Sequence, residues 1–158
     1  MRHAAFFLTA AALVVGAANL SAQTPSFAGT WTRIVDPNAP ATGGGNGGAP
    51  DALMIVQDSK AVTMTEQSMG GNDVTDVYNL DGTDSKKMMT DGNGNQFELV
   101  THAKWDGSTL VTTMTRDSSA PATFAYSLDA SGHLVVVATL PRRGGGKPVT
   151  ITVSYRKN

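Results

Sequence analysis

Phe27-Ala28-Gly29-Thr30-Trp31 decides how this chain is read. A glycine two places before a tryptophan suits a first strand that begins beneath a closing sheet. The indole can plug the floor, and the missing Cβ lets a neighbouring chain approach. Residues 30–36 then place Trp31, Arg33 and Val35 on one face and Thr32 and Ile34 on the other. From here to Asn158 the sequence is a succession of short alternating runs broken by turn residues, so this strand is the edge on which the others close.

The period of two recurs at 53–58, 61–66, 74–80, 85–90, 96–105, 109–116, 123–128, 133–140 and 149–156. Asp81-Gly82, Asp106-Gly107 and Asp129-Ala130-Ser131-Gly132 supply hairpin turns, because Asp and Gly accept the positive φ such turns need. No stretch combines helical periodicity with capping residues. The prediction is an all-β fold, an antiparallel up-and-down meander of about eight to ten strands closing into a barrel, since a long meander must not leave its last strand unpaired. The apolar set of each strand fixes its register. It directs inward Trp31, Ile55, Val62, Met64 and Tyr78; then Phe97, Leu99, Trp105, Leu110 and Met114; then Phe124, Tyr126, Leu134, Val136, Ile151, Val153 and Tyr155. The outward partners are mostly Thr, Ser, Lys and Asp, the reverse of an outer-membrane barrel.

Met1-Arg2-His3, an Ala-rich apolar run to Ala18 and a small-residue site ending at Ala22 read as a secretory signal peptide. The apolar run is shorter than the roughly 20 residues of a membrane span. The organisation expected is a signal peptide over 1–22, a leader over 23–28 and a single barrel domain over 29–158, with a flexible Gly/Pro loop over 37–50. Such a protein is exported, periplasmic or secreted, with no membrane span after cleavage. The absence of cysteine excludes a thiol enzyme, a disulfide scaffold and a lipid-modified N-terminal cysteine. With 12 Lys and Arg against 13 Asp and Glu, and only 6% aromatic residues, neither an electrostatic nor a stacking nucleic-acid surface is expected.

The opening motif resembles that of the calycins, the lipocalins and fatty-acid-binding proteins. Those families set an Arg of the last strand near the first-strand Trp, and Ser154-Tyr155-Arg156 lies where it belongs. The resemblance implies a barrel floor built from Gly29, Trp31 and Arg156, and an interior that takes a small apolar or carboxylate-bearing ligand. Where fatty-acid-binding proteins carry a helix pair after the first strand, this chain has the stretch 37–50. Arg156 is also adjacent to Tyr155, so the two face opposite sides and the family's Arg-x-Tyr carboxylate pair is not carried over.

Small barrels either fill their interior or hold one ligand. The polar residues on the inward face are Arg33, Gln57, Glu66, Asp76, Thr101, Thr112 and Arg116, each of which must pair, bind a polar head or lie near the rim. Arg116 shares a face with Leu110, Thr112 and Met114 and is the leading candidate for a carboxylate contact. Arg33, Met114, Tyr126 and Tyr155 complete the candidate ligand contacts. Glu66 and Asp76 read better as a solvated rim than as a catalytic carboxylate pair. Asp91, Asn93 and Asn95 fill positions 1, 3 and 5 of a calcium loop, but Gln96 stands where Gly is required and His102 where Glu is, so a hairpin turn is the better reading. His102 and His133 face outward without a second ligand at metal-site spacing. The glycines of 43–48 precede no Lys-Ser/Thr and a strand follows, which excludes a phosphate loop. Arg142 to Lys147 reads as a solvated basic turn.

The function expected is non-covalent binding of a small, mostly apolar ligand inside the barrel, with no cofactor and no metal. The alternative is a structural or interaction module with a filled core that acts through its surface. An enzyme is the third possibility, and the sequence offers no catalytic constellation for it.

Overall fold

The computed structural model describes residues 24–35, 49–67, 73–117, 119–142 and 146–158. The stretch 1–22, most of the loop 37–50 and residues 143–145 of the basic turn lie outside them. Ten strands follow in chain order: β1 (Gly29–Arg33), β2 (Ala52–Gln57), β3 (Ala61–Gln67), β4 (Val74–Asn79), β5 (Ser85–Thr90), β6 (Gln96–Asp106), β7 (Thr109–Arg116), β8 (Ala122–Leu128), β9 (Leu134–Leu140) and β10 (Val149–Lys157). No helix occurs among the described residues. The strands form one antiparallel sheet in the order β4-β3-β2-β1-β10-β9-β8-β7-β6-β5, so the first strand pairs with the last as expected.

The sheet rolls into a nearly closed barrel whose two free edges, β4 and β5, are consecutive in the chain but share no ladder. Side chains close that seam. Lys87 Nζ donates to the Thr75 carbonyl at 2.9 Å and to Asp76 Oδ1 at 3.0 Å, and Asn79 Nδ2 donates to Thr83 Oγ1 at 3.2 Å. Exposed edges are thereby occupied without main-chain pairing.

The inward residues expected from alternation are inward. Trp31, Ile55, Val62, Met64, Tyr78, Leu110, Tyr126, Leu134 and Tyr155 are buried, and Phe124, Trp105 and Val153 pack against them. Phe27, in the segment before β1, is fully buried and belongs to the floor. Its ring lies 5.5 Å from that of Trp105, and its carbonyl accepts the Trp31 indole N–H at 2.8 Å. Gln57 holds the segment in place, accepting from Phe27 N at 2.8 Å and donating to the Pro25 carbonyl at 3.0 Å.

The cation of the floor is Lys157 and not Arg156. Trp31 faces Lys157 across the β1–β10 ladder, and the ammonium stands 5.5 Å from the indole ring centre. Arg156 pairs with Thr32 on the outer face and is exposed. Gly29 is needed here for two reasons: its φ is +133°, and a Cβ would come within 2.6 Å of Lys157 Cε.

Truncating the floor tests this assembly. Trp31→Ala is expected to cost about 3–5 kcal/mol in urea unfolding, the usual penalty for emptying a buried aromatic site. Lys157→Ala should cost about 0.5–1 kcal/mol, the worth of a partly exposed cation–π contact, whereas Arg156→Ala should stay within about 0.5 kcal/mol of the parent.

Candidate ligand-binding cavity

The strand connections alternate between the two ends of the barrel. One end carries the hairpins 57–61, 79–85, 106–109 and 128–134 together with Phe27 and the C-terminus; the other carries 33–52, 67–74, 90–96, 116–122 and 140–149. The first half is filled by Phe27, Trp31, Val62, Tyr78, Leu110 and Leu134. The second half encloses a cavity of about 340 Å³. Its wall takes one to three residues from each of β2 to β10, among them Leu53, Met64, Met89, Leu99, Met114, Phe124, Val136 and Ile151, and also Ala49 and Pro50 ahead of β2. Period-two alternation delivers each of these side chains to the inside. The volume falls at the small end of the roughly 300–1,000 Å³ range of ligand pockets.

Four ionisable side chains interrupt the apolar wall: Glu66, Asp76, Tyr126 and Tyr155. Met64 faces Asp76 and Glu66 faces Val74 across the β3–β4 ladder. The two residues are therefore diagonal neighbours on one face, their backbones about 7–8 Å apart by sheet geometry. Asp76 is paired with Lys87. Glu66 has no hydrogen-bonding partner among the described residues, and burial, followed by the charge of Asp76, pushes its pKa above the ordinary 4.5. The solvated setting expected for this pair is corrected: both stand near the strand ends beside the 67–74 connection, but they face the cavity, because the β3–β4 register brings them inside together.

Tyr155 donates its hydroxyl to the Pro50 carbonyl at 3.2 Å, and Tyr126 stacks beside Phe124 with ring centres 6.5 Å apart. Burial raises both phenol pKa values well above the ordinary 10, so both remain neutral donors. Thr112, wholly buried on the same inner face, lies close enough to the Tyr126 hydroxyl to influence it, but its Oγ1 makes no hydrogen bond of good geometry.

Of the candidate contacts, Met114, Tyr126 and Tyr155 come together on the cavity wall, whereas Arg33 and Arg116 do not. Arg33 is inward and faces Tyr155 across the ladder, yet its guanidinium is tied to Asp51 at 2.6 Å and to the Ala49 carbonyl at 2.8 Å. Arg116 ends β7 at the rim, 3.4 Å from Asp91, with its guanidinium 3.7 Å over the Phe97 ring and its side chain 42% exposed. Met64 and Met89 join Met114 on the wall, and Met54 and Met88 are on the outer surface. Lys87 was not singled out from the sequence; its role exists only because β4 and β5 meet.

The Asp91 turn serves itself. Asp91 Oδ1 accepts the backbone N–H groups of Asn93 and Asn95, each at 2.9 Å, which holds its carboxyl below the usual range. His102 pairs with Asp84 and His133 with Asp129, both in exposed positions. Among the described residues no group of three or more His, Cys, Asp or Glu is placed to hold a metal ion.

No protein-family model and no curated protein matches the chain. Among solved structures, the zebrafish ileal bile acid-binding protein, crystallised in complex with cholic acid, superposes with a TM-score of 0.55 at 18% identity, covering 84% of this chain and 98% of that one. At that identity the likeness is one of fold. The chain has a ten-stranded, nearly closed antiparallel barrel, the fold of that protein.

Proposed function

We propose that this chain is an exported carrier that holds one small, mostly apolar molecule, without covalent attachment, inside its barrel. The observation that carries the reading is the cavity of about 340 Å³ in one half of the interior. Protein interiors are packed like organic crystals, so an apolar void of that size in a closed barrel is a place for a guest. A protein with the same fold has been crystallised in complex with cholic acid, which supports a small-molecule guest. Glu66 adds a second support: a chain with a purely structural interior gains nothing from facing an ionisable group into it, where ionisation costs stability. Export rests on the basic start, apolar run and small-residue site over 1–22.

An environment-sensitive apolar dye should brighten on mixing with the protein, and Ala138→Trp, which puts an indole into the cavity, should weaken that binding at least tenfold. Its effect on stability should stay below the roughly 1–3 kcal/mol that overpacking a filled core costs. Equal dye binding by the two proteins would mean that the dye sits elsewhere, and no binding by the parent would favour a filled structural module.

Glu66→Gln should melt at a higher temperature than the parent at pH 7. A carboxyl whose folded pKa is raised contributes stability that is complete below its unfolded pKa and is lost as pH rises through the folded one. The advantage of the Gln variant should therefore vanish below the ordinary 4.5 and grow above it. For export, the intact mass of the protein recovered outside the cytoplasm should correspond to a chain beginning at Gln23.

A further inference from the structure

The charge of the cavity wall selects the head of the guest. Among the described residues no Lys, Arg or His lines the cavity. The cations near it are held in ion pairs: Arg33 with Asp51 and the Ala49 carbonyl, its buried Nε alone lacking a partner, Lys87 with Asp76 and the Thr75 carbonyl, and Arg116 with Asp91 and the Phe97 ring. Asp76 is matched directly by Lys87, whose charge also acts on Glu66 from farther off, and Glu66 itself has no hydrogen-bond or ion-pair partner among the described residues. Besides the two carboxylates, the ionisable groups of the wall are the neutral hydroxyls of Tyr126 and Tyr155, and close to Tyr126 lies the wholly buried Thr112, whose Oγ1 lacks a hydrogen bond.

We propose that the cavity takes an apolar molecule bearing a protonated primary amine, with Glu66 as its counter-ion, and disfavours the same molecule bearing a carboxylate. This rests on the cavity being a binding site at all, as inferred above. An alkylammonium entering tail-first or head-first ends with its charge beside Glu66, where a charge-assisted hydrogen bond repays the desolvation of both ions. A carboxylate brought to the same wall meets like charge in a poorly screened interior. Its alternative anchor, Arg33 beside Tyr155, is off the cavity wall, and two of its three guanidinium nitrogens are held by Asp51 and the Ala49 carbonyl, leaving only Nε unpartnered. The raised pKa of Glu66 agrees with this picture: burial and Asp76 disfavour its ionised form in the empty barrel, and a bound ammonium would restore it.

Three probes with one tail separate the possibilities: dodecylamine, dodecanoate and 1-dodecanol, each titrated by displacement of the apolar dye at pH 7 and below its aggregation concentration. Dodecylamine should bind about tenfold or more tightly than dodecanoate, the scale of one charge-assisted hydrogen bond. Glu66→Gln should erase most of that preference and change dodecanol binding by much less than dodecylamine binding; its folding is checked by its melting curve. Dodecanoate binding as tightly as dodecylamine, or an amine preference that survives in Glu66→Gln, overturns the proposal while leaving the carrier reading intact. Dodecanoate binding that is lost in Arg33→Gln would move the head-group site to Arg33. Failure of all three probes to displace the dye would sink the carrier reading, and this proposal with it.

Discussion

The ladder between the first and last strands is the constraint on which the rest depends. Trp31 facing Lys157 and Arg33 facing Tyr155 set the relative position of the chain's two ends, and the neighbouring ladders follow from it. A slip of one residue would turn Tyr155 outward and bring Arg156 under the indole, emptying the floor and exposing the cavity's own wall. The floor resists such a slip because several contacts must fail together. The indole is bonded to the Phe27 carbonyl, Phe27 is tied to Gln57, and Lys157 lies across the space that Gly29 leaves free. A chain without cysteine has no covalent bond to hold its ends in register. Burial and hydrogen bonding at the floor supply what a disulfide would elsewhere.

Much of the fold was legible because its signal is repeated in every strand. Alternation needs only local sequence, and it placed Ile55, Val62, Leu110 and Leu134 inside without knowledge of the neighbours. What was not legible is distance along the barrel axis. Arg116 has inward parity, but it ends β7, where Asp91 and the Phe97 ring hold it at the rim. Parity says which face a side chain takes and is silent on how deep it lies. Glu66 and Asp76 show the converse. Parity gave both an inward direction, but their shared position required the β3–β4 register, and the connection between those strands carries glycines that admit more than one pairing. The floor cation was missed for another reason. Tyr155 already made Lys157 inward and Arg156 outward, and the assignment to Arg156 came from matching a family pattern to the nearest arginine.

The barrel divides its interior by side-chain size. At the floor end large side chains meet, Phe27 with Trp105 at 5.5 Å and Tyr78 with Tyr126 at 6.4 Å between rings, beside the buried Trp31. At the other end smaller or slimmer side chains, among them Ala138, Val136, Met64 and Leu53, line the cavity. Emptying half of an interior forfeits dispersion contacts along its whole lining. The filled half must bear that loss, which is consistent with the most completely buried side chains lying toward the floor.

Lys87 joins the closing of the barrel to the chemistry of its interior. The two free edges of the sheet would otherwise offer unpaired main-chain groups to other chains, and Lys87 covers the break by binding a carbonyl and a carboxylate of β4. Its charge is therefore committed to the seam. With both ionised, two carboxylates and one lysine leave one excess negative charge here whichever carboxylate Lys87 pairs with. The seam decides where that excess rests: Lys87 is held on Asp76 and the Thr75 carbonyl, and its charge reaches Glu66 only from farther off. The way the barrel closes therefore sets which carboxylate faces the cavity without a direct partner.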